Sequence, residues 1–139
     1  MTNTSPLFMG IDVGTQAGRV GIFNLKGDLL AMAAEPYETA HPRPGWAEQN
    51  PFDWWHAICR CSREVVKKIK GQGDVCAVAV CATSATVLPV DQNGLPMENA
   101  IIWMDSRAGK ESCDINATHH EILKFSGGEV SVEWMAVSY

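Results

Sequence analysis

Leu7-Phe8-Met9-Gly10-Ile11-Asp12-Val13-Gly14-Thr15-Gln16-Ala17-Gly18-Arg19 is the stretch from which the rest of the chain is read. Leu7 to Val13 reads as a buried strand that carries one carboxylate, Asp12, near its end. Arg19 to Asn24 reads as its hairpin partner, so a glycine-rich turn joins the two strands. Such a turn can cradle phosphates. Gly14 lets the backbone approach an anion, Thr15 and Gln16 offer donors, and Arg19 adds a permanent positive charge with forked geometry. Asp12 suits a magnesium ion beside those phosphates, held directly or through water. An ordinary hairpin turn uses the same residue types, with glycines meeting backbone angles and Asp12 accepting turn hydrogen bonds, and on this stretch alone both readings stand. The pattern is neither G-x-x-x-x-G-K-[ST] nor G-x-G-x-x-G, and no helix follows it as those require.

Working outward, a turn at Lys26-Gly27-Asp28 leads into a third strand near Leu29 to Ala34. Tyr37 to Asn50 holds Pro42, Pro44 and Gly45 and reads as an ordered loop anchored by Tyr37 and Trp46. Asn50-Pro51 starts a helix, with Asp53 at the positive end of its dipole and Lys67, Lys68 and Lys70 before the stop at Gly71. Its apolar spacing runs through Phe52, Trp55, Ile58 or Cys59, Ser62, Val65 or Val66 and Ile69. Val75 to Cys81 is an unbroken small and β-branched run that suits a central strand covered on both faces. Another strand is expected at Thr86 to Val90, a turn at Asp91-Gln92-Asn93-Gly94 and a short apolar segment at Ile101-Ile102-Trp103. A second helix is expected from Asp105-Ser106 to about Phe125, ending at Gly127-Gly128. A hairpin opening followed by helix, strand and helix predicts an α/β fold with a mixed sheet.

The chain has 139 residues, 46% of them apolar, which is enough for one compact core. A formal charge of -5, with no basic cluster denser than Lys67-Lys68-Ile69-Lys70, argues against a nucleic-acid surface. The five cysteines form no C-x-x-C pair, which speaks against a disulfide framework or a zinc site and for a reducing cytoplasm. Met1-Thr2-Asn3-Thr4-Ser5-Pro6 lacks the features of a signal peptide, and no stretch has the length of a membrane span.

Met9-Gly10-Ile11-Asp12-Val13-Gly14-Thr15 resembles the opening phosphate motif of the FGGY carbohydrate kinases, the family of glycerol kinase, xylulokinase and ribulokinase. Pro44-Gly45-Trp46-Ala47-Glu48-Gln49-Asn50-Pro51 with Trp54-Trp55 resembles that family's loop into its first helix. Ala100-Ile101-Ile102-Trp103-Met104-Asp105-Ser106-Arg107-Ala108 and Gly127-Gly128-Glu129-Val130-Ser131-Val132-Glu133-Trp134-Met135 resemble two further segments, in family order. The resemblance implies a ribonuclease H-like fold of the actin and hexokinase type, a mixed sheet with flanking helices, of which residues 1–139 are the N-terminal part of the first domain. It implies ATP and magnesium as cofactors and a sugar or polyol as substrate, a pentulose or related ketose in the first place. Asp12 would lie near magnesium, and Gly14, Thr15, Gln16 and Arg19 would contact phosphate oxygens.

The resemblance also implies polyol contacts from the loop after the buried strand, Thr83 and Ser84, whose hydroxyls can both donate and accept. Those hydroxyls serve equally well to satisfy a strand end. Glycerol kinase carries an Arg-Glu pair in this loop, and its absence here argues against glycerol. Asp105 is expected either to face the sugar or to cap the second helix, and Trp103 to line the sugar pocket or anchor the core. His119-His120, expected inside that helix, cannot share one helical face as metal ligands. The base aspartate of the family would lie beyond residue 139, and the second, ATP-binding lobe would be absent. The ending Ala136-Val137-Ser138-Tyr139 departs from the family pattern, so a truncated chain is expected, inactive alone and prone to homo-oligomer formation through exposed sheet. Two other classes remain open: a non-catalytic binding module, and a ribonuclease H-like nuclease, which would need more carboxylates and a basic groove.

Overall fold

The computed structural model describes residues 5–135, and the expectations for the first four residues and for Ala136-Val137-Ser138-Tyr139 lie outside the described residues. Along the chain run β1 (Pro6–Val13), β2 (Ala17–Asn24), β3 (Leu29–Pro36), β4 (Glu48–Gln49), α1 (Pro51–Lys68), β5 (Asp74–Ala82), β6 (Ala100–Ile101), α2 (Gly109–Asn116), a 3₁₀ helix (Glu121–Ser126) and α3 (Val132–Met135). They form two compact units. One contains the residues up to Glu38 together with Phe52–Thr83, and the other Thr39–Pro51 with Ser84 onward.

In the first unit four strands form a sheet in the order β3-β2-β1-β5. β1–β2 and β2–β3 pair antiparallel and β1–β5 pairs parallel, which is the mixed sheet expected. The β2–β3 turn is closed by Asn24, whose Oδ1 accepts from the N–H groups of Lys26 and Asp28. Gly27 supplies the positive φ of 86° that the turn needs. α1 begins at Pro51 and ends on Lys67 and Lys68, as the dipole and capping signals predict. Ile58, Cys61 and Val65 from α1 and Ile69 just after it meet Leu7, Val20, Ile22, Ala31 and Ala33 from the sheet to make the core. The helix reaches the sheet closely at Gly18, where an added Cβ would stand 2.9 Å from the Ile58 Cδ1. That close approach selects small Ala57 with Ile58 for the contact and leaves Phe52 and Trp55, expected on the buried face, exposed.

The strand expected to be covered on both faces is present as β5, but it lies at the sheet edge and most of its residues are exposed. Apolar composition reports a demand for cover, and no element among the described residues meets it. The expected self-association rests on this open edge. On the face opposite α1, Gly10 and Gly21 pair across β1 and β2 and floor a hollow of about 360 Å³ that Phe23, Met32, Asp12 and Arg19 help to line.

In the second unit β4 and β6 pair antiparallel, and the loop before β4 is ordered, as expected. Gly45, at φ 79°, lies so close to Ser106 that a Cβ would come within 2.5 Å of its hydroxyl oxygen. Thr86 to Val90 is not a strand of its own, since Val87 and Val90 make only isolated bridges to Ile101 and Pro96. The long second helix is broken in two. Asn116 turns its side chain to the backbone of Val130, donating to its carbonyl and accepting from its N–H, and Thr118 Oγ1 bonds back to Ile115 O. His119 takes a positive φ of 48°, and His120 caps the 3₁₀ helix by accepting from Ile122 N–H. The two histidines therefore lie in the break and not inside a helix. Gly127, left-handed at φ 82°, closes the 3₁₀ helix where the stop was expected.

Candidate functional site

The end of β1, the turn after it and the end of β5 bring Asp12, Gly14, Thr15, Gln16, Arg19 and Thr83 into one neighbourhood of the first unit. Register does this: Asp12 stands opposite Arg19 on β2 and beside Cys81 on β5, and Thr83 N–H continues the ladder by donating to Val13 O at 3.2 Å. Arg19 Nη1 donates to Asp12 Oδ2 at 2.8 Å, with both side chains nearly half exposed, at 46% and 47%. Gly14 N–H donates to Ala17 O at 3.1 Å, closing the turn, and Gln16 at its tip is exposed. A Cβ at position 14 would stand 2.7 Å from Arg19 Nη1, the movable end of a flexible side chain, and 3.4 Å from Asp12 Oδ2, so a side chain there would disturb this pair.

Tyr37 is the residue of this neighbourhood that the sequence reading treated only as an apolar anchor. Its hydroxyl donates to Gly14 O, and its backbone N–H donates to Gln16 O at 3.2 Å. Burial pushes its phenol above the ordinary value, Asp12's charge adds to the rise, and Arg19 offsets part of it. The phenol is therefore a neutral donor at physiological pH. The signal for it was the pairing of Ala17 with Pro36, which carries the next residue alongside the turn.

Ser84 and Asp105, the other expected substrate contacts, belong to the second unit. Asp105 is buried, with its side chain 0% exposed, and does not cap α2, whose N-cap position is Ala108. It accepts from Ala47 N–H at 2.7 Å, from Arg107 N–H at 2.8 Å, and from the Arg107 guanidinium through Nε at 2.8 Å and Nη2 at 2.7 Å. Burial alone would raise its carboxyl, but the bonds from Arg107 and Ala47 win and hold it below the usual carboxylate range. Arg107 also reaches Glu48 at 2.8 Å and stacks on the Trp46 ring, 3.7 Å from its centroid. In the loop after β5, Thr86 Oγ1 is buried with no hydrogen-bond partner among the described residues. Trp103 is exposed enough to meet a ligand.

Magnesium fits this donor set in one way only. Among the described residues no group of three or more His, Cys, Asp or Glu side chains could hold a metal. An ion at Asp12 would take its remaining ligands from phosphate oxygens and water, as is usual for magnesium beside a nucleotide. The cysteines are free, and no helix of the described residues is long and apolar enough to cross a membrane.

Known proteins resemble this chain in sequence and in fold. Residues 7–128 match the N-terminal domain of the FGGY family of carbohydrate kinases. The FGGY carbohydrate kinase domain-containing protein of Homo sapiens is 35% identical over 136 residues, which cover 93% of this chain and 25% of that protein. A D-ribulokinase of Saccharomyces cerevisiae is 31% identical over 137 residues, 91% of this chain and 19% of that one. Among solved structures, the xylulose kinase from Rhodospirillum rubrum superposes with a TM-score of 0.77 at 25% identity, covering 81% of this chain and 23% of the other. The chain thus spans about a quarter or less of the length of these curated relatives.

Proposed function

We propose, for a chain that belongs to the FGGY family of carbohydrate kinases, that it supplies the phosphate-facing turn of a site that transfers the γ-phosphoryl group of ATP to a sugar or polyol hydroxyl. The observation that carries the reading is the half-exposed Asp12–Arg19 pair beside a turn where a side chain at position 14 would press on Arg19. Phosphoryl transfer needs positioning and neutralisation of charge more than covalent help. Arg19 and the turn hold and orient the phosphates, and the half-exposed Asp12 carboxylate serves a magnesium ion that neutralises them.

Thr83 and Ser84 contact the sugar by hydroxyl exchange, and the buried, unpartnered Thr86 Oγ1 supports a polyol partner for this loop. For Asp105, its bonds to Arg107 and Ala47 favour bracing the second unit over direct contact with the sugar. A pentulose or related ketose is the preferred substrate class. The D-ribulokinase similarity and the missing Arg-Glu pair both support it. The carboxylate that the turn brings forward is given to Arg19 and the metal, so the chain alone binds without turning over. A reducing cytoplasm is the compartment that its free cysteines fit.

Calorimetric titration tests the reading. Magnesium-ATP and magnesium tripolyphosphate should each bind the chain, and Asp12→Asn should weaken both by about tenfold or more, since a metal-serving charge is removed. Ribulose and xylulose should give heat where glycerol gives none. Flat traces for all phosphates would leave a non-catalytic module as the better account.

A further inference from the structure

We infer that Tyr37 is a positioning residue for the phosphate-facing turn, pinning two of its peptide planes so that their N–H groups keep one orientation toward an anionic ligand. The inference rests on the phosphate reading of that turn and deepens it. In a planar trans peptide the carbonyl of one residue and the N–H of the next point in opposite directions. The Tyr37 hydroxyl fixes Gly14 O, so it also fixes the direction of the Thr15 N–H. The Tyr37 backbone N–H fixes Gln16 O, and with it the Ala17 N–H.

The turn's backbone closure runs from Gly14 N–H to Ala17 O, and the two Tyr37 bonds hold those planes from outside it. A flip of the Gly14–Thr15 plane turns about ψ of Gly14 and φ of Thr15, and the missing Cβ at Gly14 leaves the first of these wide. A flip would aim a carbonyl where the amide had been, and carbonyl oxygen repels phosphate. Position 37 is itself well fixed. It follows β3 directly, whose last residue, Pro36, pairs with Ala17 across the sheet. The half-buried phenol, raised by burial and by Asp12, remains a donor throughout the neutral range. Tyr37 touches no substrate in this account and acts through Gly14 and Gln16.

Tyr37→Phe removes the hydroxyl and keeps the ring, so it separates clamping from packing. Amide hydrogen exchange of residues 14–17 should quicken by about tenfold in the variant, while α1 and β5 amides keep their rates, as one lost hydrogen bond predicts. Magnesium tripolyphosphate affinity should fall by about three- to tenfold at an unchanged melting temperature. Slower or unchanged exchange in the turn overturns the clamp, whatever the affinity does. Faster exchange with unchanged affinity overturns the positioning role. A wild-type chain that binds no tripolyphosphate removes the premise and overturns the role with it, while the exchange data still report the clamp. A variant that loses melting cooperativity would show the hydroxyl to be a general structural support, which also contradicts the inference.

Discussion

An aspartate–arginine pair stands in each unit, and the two differ in how much of the carboxylate the protein has taken. Asp105 is wholly buried, both of its oxygens are engaged, and Arg107 grips it twice while holding Glu48 and stacking on Trp46. Asp12 is nearly half exposed and meets Arg19 through Oδ2. Ion-pair geometry is alike in the two, with N–O distances of 2.7 Å and 2.8 Å. Burial is what separates them. A carboxylate enclosed among protein donors braces a fold, and one left half exposed at a surface turn can take a ligand.

The largest expected effect breaks the buried pair. Asp105→Ala would leave the mostly buried Arg107 without its main partner and the Ala47 N–H without an acceptor, a loss of about 3–5 kcal/mol by analogy with broken buried pairs. Urea unfolding of the chain measures it. The same pair sets an acid limb. Because the folded Asp105 carboxyl lies below the unfolded value of about 4, its contribution is complete above that pH and drains away as pH falls through the lower, folded value. Asp105→Asn should lose this limb, and the urea midpoint below pH 4 should then change less steeply with pH than in the wild type.

The half-exposed pair should respond oppositely. Asp12→Asn should shift stability by about 1 kcal/mol or less, as for exposed ion pairs, while taking away magnesium-dependent phosphate binding. Gly14→Ala should act more gently still. Its Cβ meets the movable end of Arg19, so the guanidinium swings from Asp12 and affinity drops by a few-fold with stability nearly constant. If Asp12→Asn instead cost as much stability as Asp105→Ala, the contrast between the pairs would be gone.

Much of this was legible in the residues, and the failures have physical causes. The hairpin, the third strand and α1 were readable because turn glycines, short apolar runs and Asn50-Pro51 are local signals. The buried stripe of α1 was misplaced at Phe52 and Trp55 because the close approach at Gly18, a tertiary fact, favours Ala57 and Ile58. The second helix was drawn too long, since the pairing of Asn116 with Val130 joins residues 14 apart and no local pattern announces it. Asp105 was read as a cap or a sugar contact because its partner Ala47 is 58 residues away. Tyr37 was missed as a site residue for the same reason: its contact with Gly14 exists only once β2 and β3 are in register.

The central claim is that the turn after β1 receives phosphates with Asp12 serving the metal. Amide chemical-shift mapping of the isotope-labelled chain, titrated with magnesium-ATP, tests it most directly. The account predicts that the largest shifts fall on Gly14, Thr15, Gln16 and Arg19, and that they vanish when magnesium is withheld or Asp12 is changed to Asn. Shifts centred elsewhere, or equal shifts in the Asp12→Asn chain, would contradict it.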